Sequence, residues 1–289
     1  MFKREATGTK IWLIFVHIFI ALTVVLMVLP LLNIVAVSLS SEIAVLQGRV
    51  SFWPVNPSLR TYRQVFLHSN MILALQNTIR LTIVGTIINL VMVLLAAYPL
   101  SKQWLKGRAI LMNIIVFTMI FSAGMIPTYM LISNLGLLNS FWALWLPGAL
   151  STFHFIIMKS FIQNIPSALM ESAEIDGASE FRILLQIVIP LSKAAIATIA
   201  LFSAVGWWNS WFPNMMYIQV SRLITQQVQL RGLLQFADVQ IFVPEDAFRP
   251  TEESIRAASI IIATLPILMI YPFLQKYFVK GVMIGSIKG

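Results

Sequence analysis

The sequence predicts an all-α polytopic membrane protein with six transmembrane helices. Of its 289 residues 58% are hydrophobic and only 11% are charged, the mean hydropathy is +0.85, and the apolar residues form long runs. A soluble domain with so few charges would not stay dissolved, whereas an apolar run of about 20 residues crosses a bilayer as a helix. We therefore expect a single membrane domain over residues 1–289.

The first predicted span is the apolar run 11–39, which follows a short basic segment. The run is too long for the core of a signal peptide and no small-residue cleavage site follows its first part, so we expect it to be retained. Residues 40–70 are polar and broken by Pro54 and Pro57, and the second span covers 77–100.

The later spans are less regular. Gly124 and Pro127 weaken the third span, and Pro147 and Gly148 interrupt the fourth, because glycine and proline disfavour a continuous helix. A long polar stretch, residues 213–254, separates the last two spans. The third to sixth predicted spans cover residues 109–132, 141–162, 191–212 and 255–278.

Basic residues predict the orientation. If the N-terminus, the 102–108 turn, the 163–190 loop and the C-terminal tail share one side, twelve Lys and Arg lie there and eight lie opposite, and all nine lysines are among the twelve. Cytoplasmic loops are enriched in Lys and Arg, so both termini are predicted to be cytoplasmic. This distribution explains the net charge of +9 without nucleic-acid binding.

Between the fourth and fifth spans lies a polar segment that is predicted to fold as two short helices. Pro166 suits the first turn of a helix that Gly177 ends, since glycine accepts the left-handed backbone of a helix exit. Ser179 can cap a second helix, and Pro190 precedes the next apolar run. We call residues 163–190 the docking loop.

The docking loop resembles the EAA loop of permease subunits of binding-protein-dependent ABC importers, whose pattern is Glu-Ala-Ala, three residues, Gly, nine residues, Ile, one residue and Leu-Pro. The chain has Glu171-Ser172-Ala173, Gly177, Ile187 and Ile189-Pro190 at this spacing, with Ser172 and Ile189 as departures. The segment FWPVNPSLRTYRQVF, Ala96-Ala97-Tyr98 and the tail VKGVMIGSIKG resemble the carbohydrate-uptake class. The resemblance covers nearly the whole chain.

This resemblance implies that the docking loop is a cytoplasmic coupling helix that enters a cleft of an ATPase subunit. Glu171 is expected to pair with a basic group there, while Ala173 and Gly177 permit close approach. Asp176 and Arg182 are expected to shape the loop or its rim, although a solvated ion pair is the alternative. An ordinary amphipathic loop is the alternative for the segment as a whole.

Motif absences argue against catalysis on this chain. The sequence has no GxxxxGK[ST] phosphate loop, no HExxH, no GxSxG and no cysteine. All eleven acidic residues lie in predicted loops or termini, whereas an ion-coupled carrier normally keeps an ionisable group at mid-membrane. An outside source of energy is therefore favoured over a secondary carrier or a membrane-embedded enzyme.

Neutral polar and aromatic residues are the candidates for a substrate pathway. Trp207, Trp208, Asn209 and Trp211 end the fifth span, and indole rings stack on sugar rings. The family resemblance includes Trp208-Asn209, but a tryptophan belt at the membrane interface is the alternative. Tyr129 and His154 are further candidates, and for His154 a hydrogen bond to a neighbouring helix is the alternative.

The resemblance thus predicts one permease subunit of an ATP-driven importer of sugars, with oligosaccharides favoured by the aromatic cluster. It implies a second permease subunit, two ATPase subunits, an extracytoplasmic sugar-binding protein and the lipid of a bacterial plasma membrane as partners. No cofactor or metal is expected on this chain, because ATP and Mg²⁺ would be held by the ATPase.

Overall fold

A computed structural model describes residues 7–68, 70–235 and 251–286, and within these ranges the chain forms helices and no strand. The last three residues of the predicted C-terminal tail, and residues 236–250 of the predicted 213–254 loop, lie outside the described residues. The chain divides into two compact units, one up to Met71 with Leu230–Pro266, and the other from Ile72 to Gln229 with the residues from Ile267 onward.

The first unit begins with one long apolar helix and two short ones, α1 (Thr7–Leu39), α2 (Glu42–Leu46) and α3 (Arg60–His68). The segment after α1 is fastened back to that helix: the amide of Ser58 donates to the carbonyl of Leu39 at 2.8 Å. The Tyr62 hydroxyl of α3 donates to Ser38 Oγ at 2.8 Å. Val65 and Met71 bury their side chains against Ala258 and Ile262 in a small apolar core.

The second unit contains the predicted second to fifth spans and the docking loop. Its helices are α4 (Met71–Ser101), α5 (Arg108–Ile120), α6 (Met125–Asn134), α7 (Trp142–Trp145), α8 (Thr152–Gln163), α9 (Ser167–Ile175), α10 (Glu180–Ile183), α11 (Ile189–Leu191), α12 (Lys193–Asn209) and α13 (Phe212–Tyr217). A π-helix, Leu184–Val188, joins α10 to α11. Two last helices, α14 (Gln226–Gln235) and α15 (Glu252–Ser286), follow a short 3-10 turn, and each has residues in both units.

Helix α4 is the central element of the second unit. Its buried positions recur every fourth residue, which is the spacing that places side chains in one row along a helix. The row consists of Asn77, Leu81, Gly85, Asn89, Val93 and Ala97. Two apolar cores lie along it, one around Leu81 with Phe141, Trp145 and Tyr217, and one around Val93 and Ala97 with Phe155 and Ile199.

Length and composition identify two helices in the described residues that can cross a membrane, at Trp12–Leu39 and Met71–Ser101. Two bent pairs of helices also qualify if each pair is counted as one span. The described residues therefore contain two to four candidate membrane spans. The first and second predicted spans therefore correspond to α1 and α4, with α4 beginning six residues earlier than predicted.

The predicted third span is bent rather than straight. Helices α5 and α6 meet at 115° across residues 121–124. Gly124 sits at the break with φ +85° and ψ 172°, a conformation open to glycine, while Pro127 lies in the first turn of α6, where its missing N–H leaves no helical bond unmade. Of the two predicted weak points, Gly124 therefore causes the break.

The predicted fourth and fifth spans are also divided. Pro147 and Gly148 lie between α7 and α8, as expected, and the 12 residues of α8 are too few to cross a bilayer alone. At the fifth span the helix continues through Pro190, and the chain bends by 81° at Ser192 before α12 begins. The predicted sixth span lies within α15, whose side chains beyond residue 269 are outside the described ones.

Candidate functional site

The docking loop folds as the sequence predicts, with α9 and α10 joined by a tight turn. Gly177 has φ +79°, and it donates its amide to the carbonyl of Glu174 at 3.0 Å, while Ala178 donates to Ala173 at 2.9 Å. These two bonds form a Schellman motif, which satisfies carbonyls that the end of a helix leaves open. Ala173 and Ala178 also pack against the apolar core around Val93 and Ala97, which holds the turn from inside.

The start of the first helix differs slightly from the prediction, whereas the predicted cap of the second helix is present. Pro166 precedes α9 as its cap residue instead of lying in the first turn. Ser179 caps α10, since its side chain accepts from the amide of Arg182 at 3.4 Å. An open groove of about 430 Å³ lies between α9 and the segment 186–191, with Ala173 and Asp176 in its wall.

The charged residues among the predicted coupling residues are exposed on this loop. Glu171 and Asp176 are exposed, and neither makes an ion pair within the described part of the chain. The Arg182 guanidinium donates to Gln186 at 3.0 Å, so its partner is not Asp176. The surface is therefore acidic on α9, with a small alanine beside it.

A cluster that the sequence analysis did not single out holds the loop to α4. Lys102 Nζ lies 2.5 Å from the Glu180 carboxylate and 3.3 Å from Glu174 Oε1, and the Tyr98 hydroxyl also donates to Glu180. Burial alone would lower the pKa of Lys102, but hydrogen bonds with Glu180 and Tyr98 outweigh it and raise that pKa. The ammonium therefore remains charged. We call Tyr98, Lys102, Glu174 and Glu180 the Lys102 cluster.

The predicted aromatic candidates of the fifth span have different surroundings. Trp207 lies against two glycines of other elements: a Cβ on Gly85 would stand 2.6 Å from its Cε2, and one on Gly148 would stand 2.5 Å from its Cη2. Trp208 is buried, with 7% of its surface exposed. These two rings serve as packing elements in this arrangement.

Asn209 is the last residue of α12 and Trp211 follows shortly after it, whereas Tyr129 lies in α6. Asn209 is exposed and donates to the carbonyl of Val205 at 2.9 Å. Trp211 is partly exposed and meets Phe212 edge to face at 5.4 Å. Tyr129 stacks on Tyr217 at 6.2 Å, against the same apolar core as Trp207.

His154 makes the helix-to-helix hydrogen bond that was the alternative at this position. Its Nδ1 lies 2.8 Å from Oδ1 of the buried Asn89, which also donates to the carbonyl of Ala149 at 3.1 Å. Asn89 is one turn beyond Gly85 on α4, so Trp207 and His154 meet neighbouring positions of one helix face. Asn89 was missed, although a buried amide inside a membrane helix is an expected marker of function or packing.

Within the described residues, no group of three or more His, Cys, Asp and Glu side chains is placed to hold a metal ion. The site consists of two parts along α4: the docking loop with the Lys102 cluster at one end, and the Gly85 and Asn89 contacts about three to four turns from that end.

Comparison with known proteins found close relatives. No family model matches the chain. It is 44% identical over 264 residues to the Protein LplC of Bacillus subtilis (strain 168), covering 91% of this chain and 90% of that protein. It is 41% identical over 274 residues to the polygalacturonan/rhamnogalacturonan transport system permease protein YtcP of the same organism, covering 94% and 96%.

Solved structures of similar fold are also chains of ABC transporters. A chain of a bacterial ABC transporter involved in import of the acidic polysaccharide alginate superposes with a TM-score of 0.89 at 31% identity, covering 96% of this chain and 100% of that one. A chain of a bacterial alginate ABC transporter in complex with alginate pentasaccharide-bound periplasmic protein shares the fold, with a TM-score of 0.60 at 18% identity.

Proposed function

Since this chain belongs to the permease subunits of binding-protein-dependent ABC importers of the carbohydrate-uptake class, we propose that it forms half of the translocation pathway of an oligosaccharide importer and is coupled to an ATPase through its docking loop. The observation that carries the coupling is the exposed α9, closed at its end by the left-handed Gly177 and bordered by an open groove. A short helix with small residues at its surface fits a cleft of a partner.

Oligosaccharides are the proposed substrates for two reasons. Relatives include proteins named for arabinooligosaccharides and for melibiose, raffinose and stachyose transport, as well as the polygalacturonan permease. Exposed Asn209 and partly exposed Trp211 offer an amide and an indole at the end of α12, which suit sugar hydroxyls and sugar faces. Acidic chains are included, because the alginate importer is similar in structure.

The proposed topology is six spans in a bacterial plasma membrane, with both termini and the docking loop in the cytoplasm. The bias of twelve basic residues against eight supports this side for the docking loop. The third span is then the bent pair α5–α6, the fourth is α7 with α8, and the fifth is α12, which begins after the 81° bend at Ser192.

The proposed assembly contains a second permease, two ATPase subunits and an extracytoplasmic sugar-binding protein. ATP and Mg²⁺ are bound by the ATPase pair, and its closure pushes the docking loops so that the helices alternate access. A chain of the same fold occurs in an alginate ABC transporter that was solved in complex with a periplasmic protein, and a binding-protein-dependent arrangement is proposed here by analogy.

Affinity purification of the tagged chain from its native membrane tests this proposal. We expect a second permease, an ATPase and a sugar-binding protein to co-purify, and E171K or G177P to lose the ATPase while retaining the second permease. The control E253K changes an exposed carboxylate at the start of α15 and should change neither. A lone wild-type chain, or an undiminished ATPase yield with both docking-loop variants, would contradict the proposal.

A further inference from the structure

Lys102 is the first residue after α4, and it joins that helix to both helices of the docking loop. Its Nζ contacts Glu174 of α9 at 3.3 Å and Glu180 of α10 at 2.5 Å. The Lys102 side chain is only 10% exposed, whereas about half of each glutamate side chain is exposed. One buried cation thus connects two surface helices to the end of a third.

Aromatic rings enclose the ammonium on its other sides. It lies 5.0 Å from the Tyr98 ring centroid and 5.3 Å from that of Trp104, both within the range of a cation–π contact. Because Tyr98 also donates to Glu180, the carboxylate is held by two groups of the α4 end. A partly desolvated and multiply bonded ion pair keeps one geometry better than a solvated one.

The end of α4 is itself tied to neighbouring segments. Arg108 Nε donates to the carbonyl of Leu100 at 3.0 Å, and Gln163 donates to that of Ser101 at 3.4 Å. Farther along α4, Gly85 receives the Trp207 ring and Asn89 bonds to His154. A displacement of α4 along its axis must therefore alter the contacts of α12 and α8.

We propose that Lys102 is the positioning residue that transmits displacement of the docking loop to α4, and through α4 to the contacts of Trp207 and His154. This inference rests on the proposed function, because it supposes that an ATPase moves the loop. Coupling between distant sites can be carried by packed side chains and rigid helices, and α4 connects the Lys102 cluster to the Trp207 and His154 contacts.

The docking loop has a second means of staying folded, which separates transmission from simple stability. Ala173, Ala178 and Ile183 pack against the core that contains Ala97 and Tyr98, and the Schellman motif closes α9 without Lys102. Removing the ammonium should therefore leave the docking loop folded and able to bind the ATPase. The loop would then be free to shift relative to α4.

The test compares K102M with K106M in the complete importer, reconstituted in vesicles. Lys106 is exposed in the same turn and makes no ion pair with the described residues, so it is a matched control. We expect K102M to retain the co-purified ATPase and its ATP hydrolysis, while sugar taken up per ATP falls about fivefold or more, the range of a typical coupling between sites. K106M should match the wild type.

Three further variants address folding and charge. E180Q keeps a hydrogen-bonding group but removes one charge. We expect its loss of sugar uptake per ATP to be smaller than that of K102M. The reversal K102E with E180K restores the attraction and should recover most of the coupling lost in K102M, which a loss of packing would not allow. The K102R variant, which keeps the charge, should remain coupled.

The outcomes distinguish this inference from the proposed function. Normal uptake per ATP in K102M, or loss of ATPase from the K102M complex while K106M keeps it, would overturn the role of Lys102 alone. Absence of an ATPase from the wild-type preparation would overturn both proposals.

Discussion

The indole of Trp207 occupies the space that a side chain on Gly85 would need, since a Cβ at Gly85 would lie 2.6 Å from Trp207 Cε2. Real Cβ contacts are not that short, so α12 approaches α4 this closely only because residue 85 is glycine. Gly148 meets the opposite part of the same ring in the same way. Three elements therefore converge on one indole.

The Gly85→Ala substitution is expected to destabilise the second unit by about 1–3 kcal/mol, the usual cost of overpacking a filled core. The measurement is thermal unfolding of the purified permease complex in one detergent. The G206A variant is the control, because a Cβ there meets nothing within 4 Å although Gly206 precedes Trp207 directly. Since alanine favours helix, G206A should not lower the melting temperature.

A double variant shows whether the clash is with Trp207 itself. G85A combined with W207L should be less destabilised than the sum of the two single variants, because the smaller side chain leaves room for the methyl group. If the losses of stability of the two single variants simply add in the double variant, the methyl group added at residue 85 does not clash with Trp207.

The Asn89 amide links α4 to α8 and to the break before it. N89L keeps a similar volume but leaves the carbonyl of Ala149 and the ring nitrogen of His154 without this partner. We expect a loss of about 1–3 kcal/mol in the free energy of unfolding, the cost of buried polar groups left unpaired. N113L, an exposed amide on α5, should change it by less than about 0.5 kcal/mol.

Local features of the docking loop could be predicted from the sequence, because they depend on near neighbours. Gly177 ends α9 by its own backbone preference, and Ser179 caps the helix that starts beside it. The weak point at Gly124 was equally local, but the 115° bend depends on how α5 and α6 pack against other helices. A sequence pattern gives the place of a break and not its angle.

Contacts across the chain could not be predicted. Lys102 and Glu180 are 78 positions apart, Asn89 and His154 are 65 apart, and no periodicity in one segment indicates which residue of another it meets. The tryptophans show the same limit: adjacent Trp207, Trp208 and Asn209 share a motif but differ in burial, because successive helix residues point about 100° apart.

Gly177 allows a specific test of the docking loop. G177A places a side chain at φ +79° where no atom lies within 4 Å, so its cost is that of the backbone conformation, about 1–2 kcal/mol. We expect α9 to fray at its end and the yield of co-purified ATPase to fall. G177N should fall less, since asparagine tolerates the left-handed region better than alanine. Equal yields for both variants would argue against this turn as a determinant of docking.

Trp208 and Asn209 are neighbours on α12 that differ in burial, so we expect Trp208 to stabilise the fold and Asn209 to be accessible to a sugar. W208A removes a buried ring and should lower the free energy of unfolding by about 3–5 kcal/mol, measured by thermal melting. N209A alters an exposed amide beside it, so stability should change by less than about 0.5 kcal/mol while sugar uptake falls. N113A serves as the control and should leave both unchanged. If N209A transports sugar at the wild-type rate, Asn209 does not line the pathway, and the end of α12 functions as an interfacial belt.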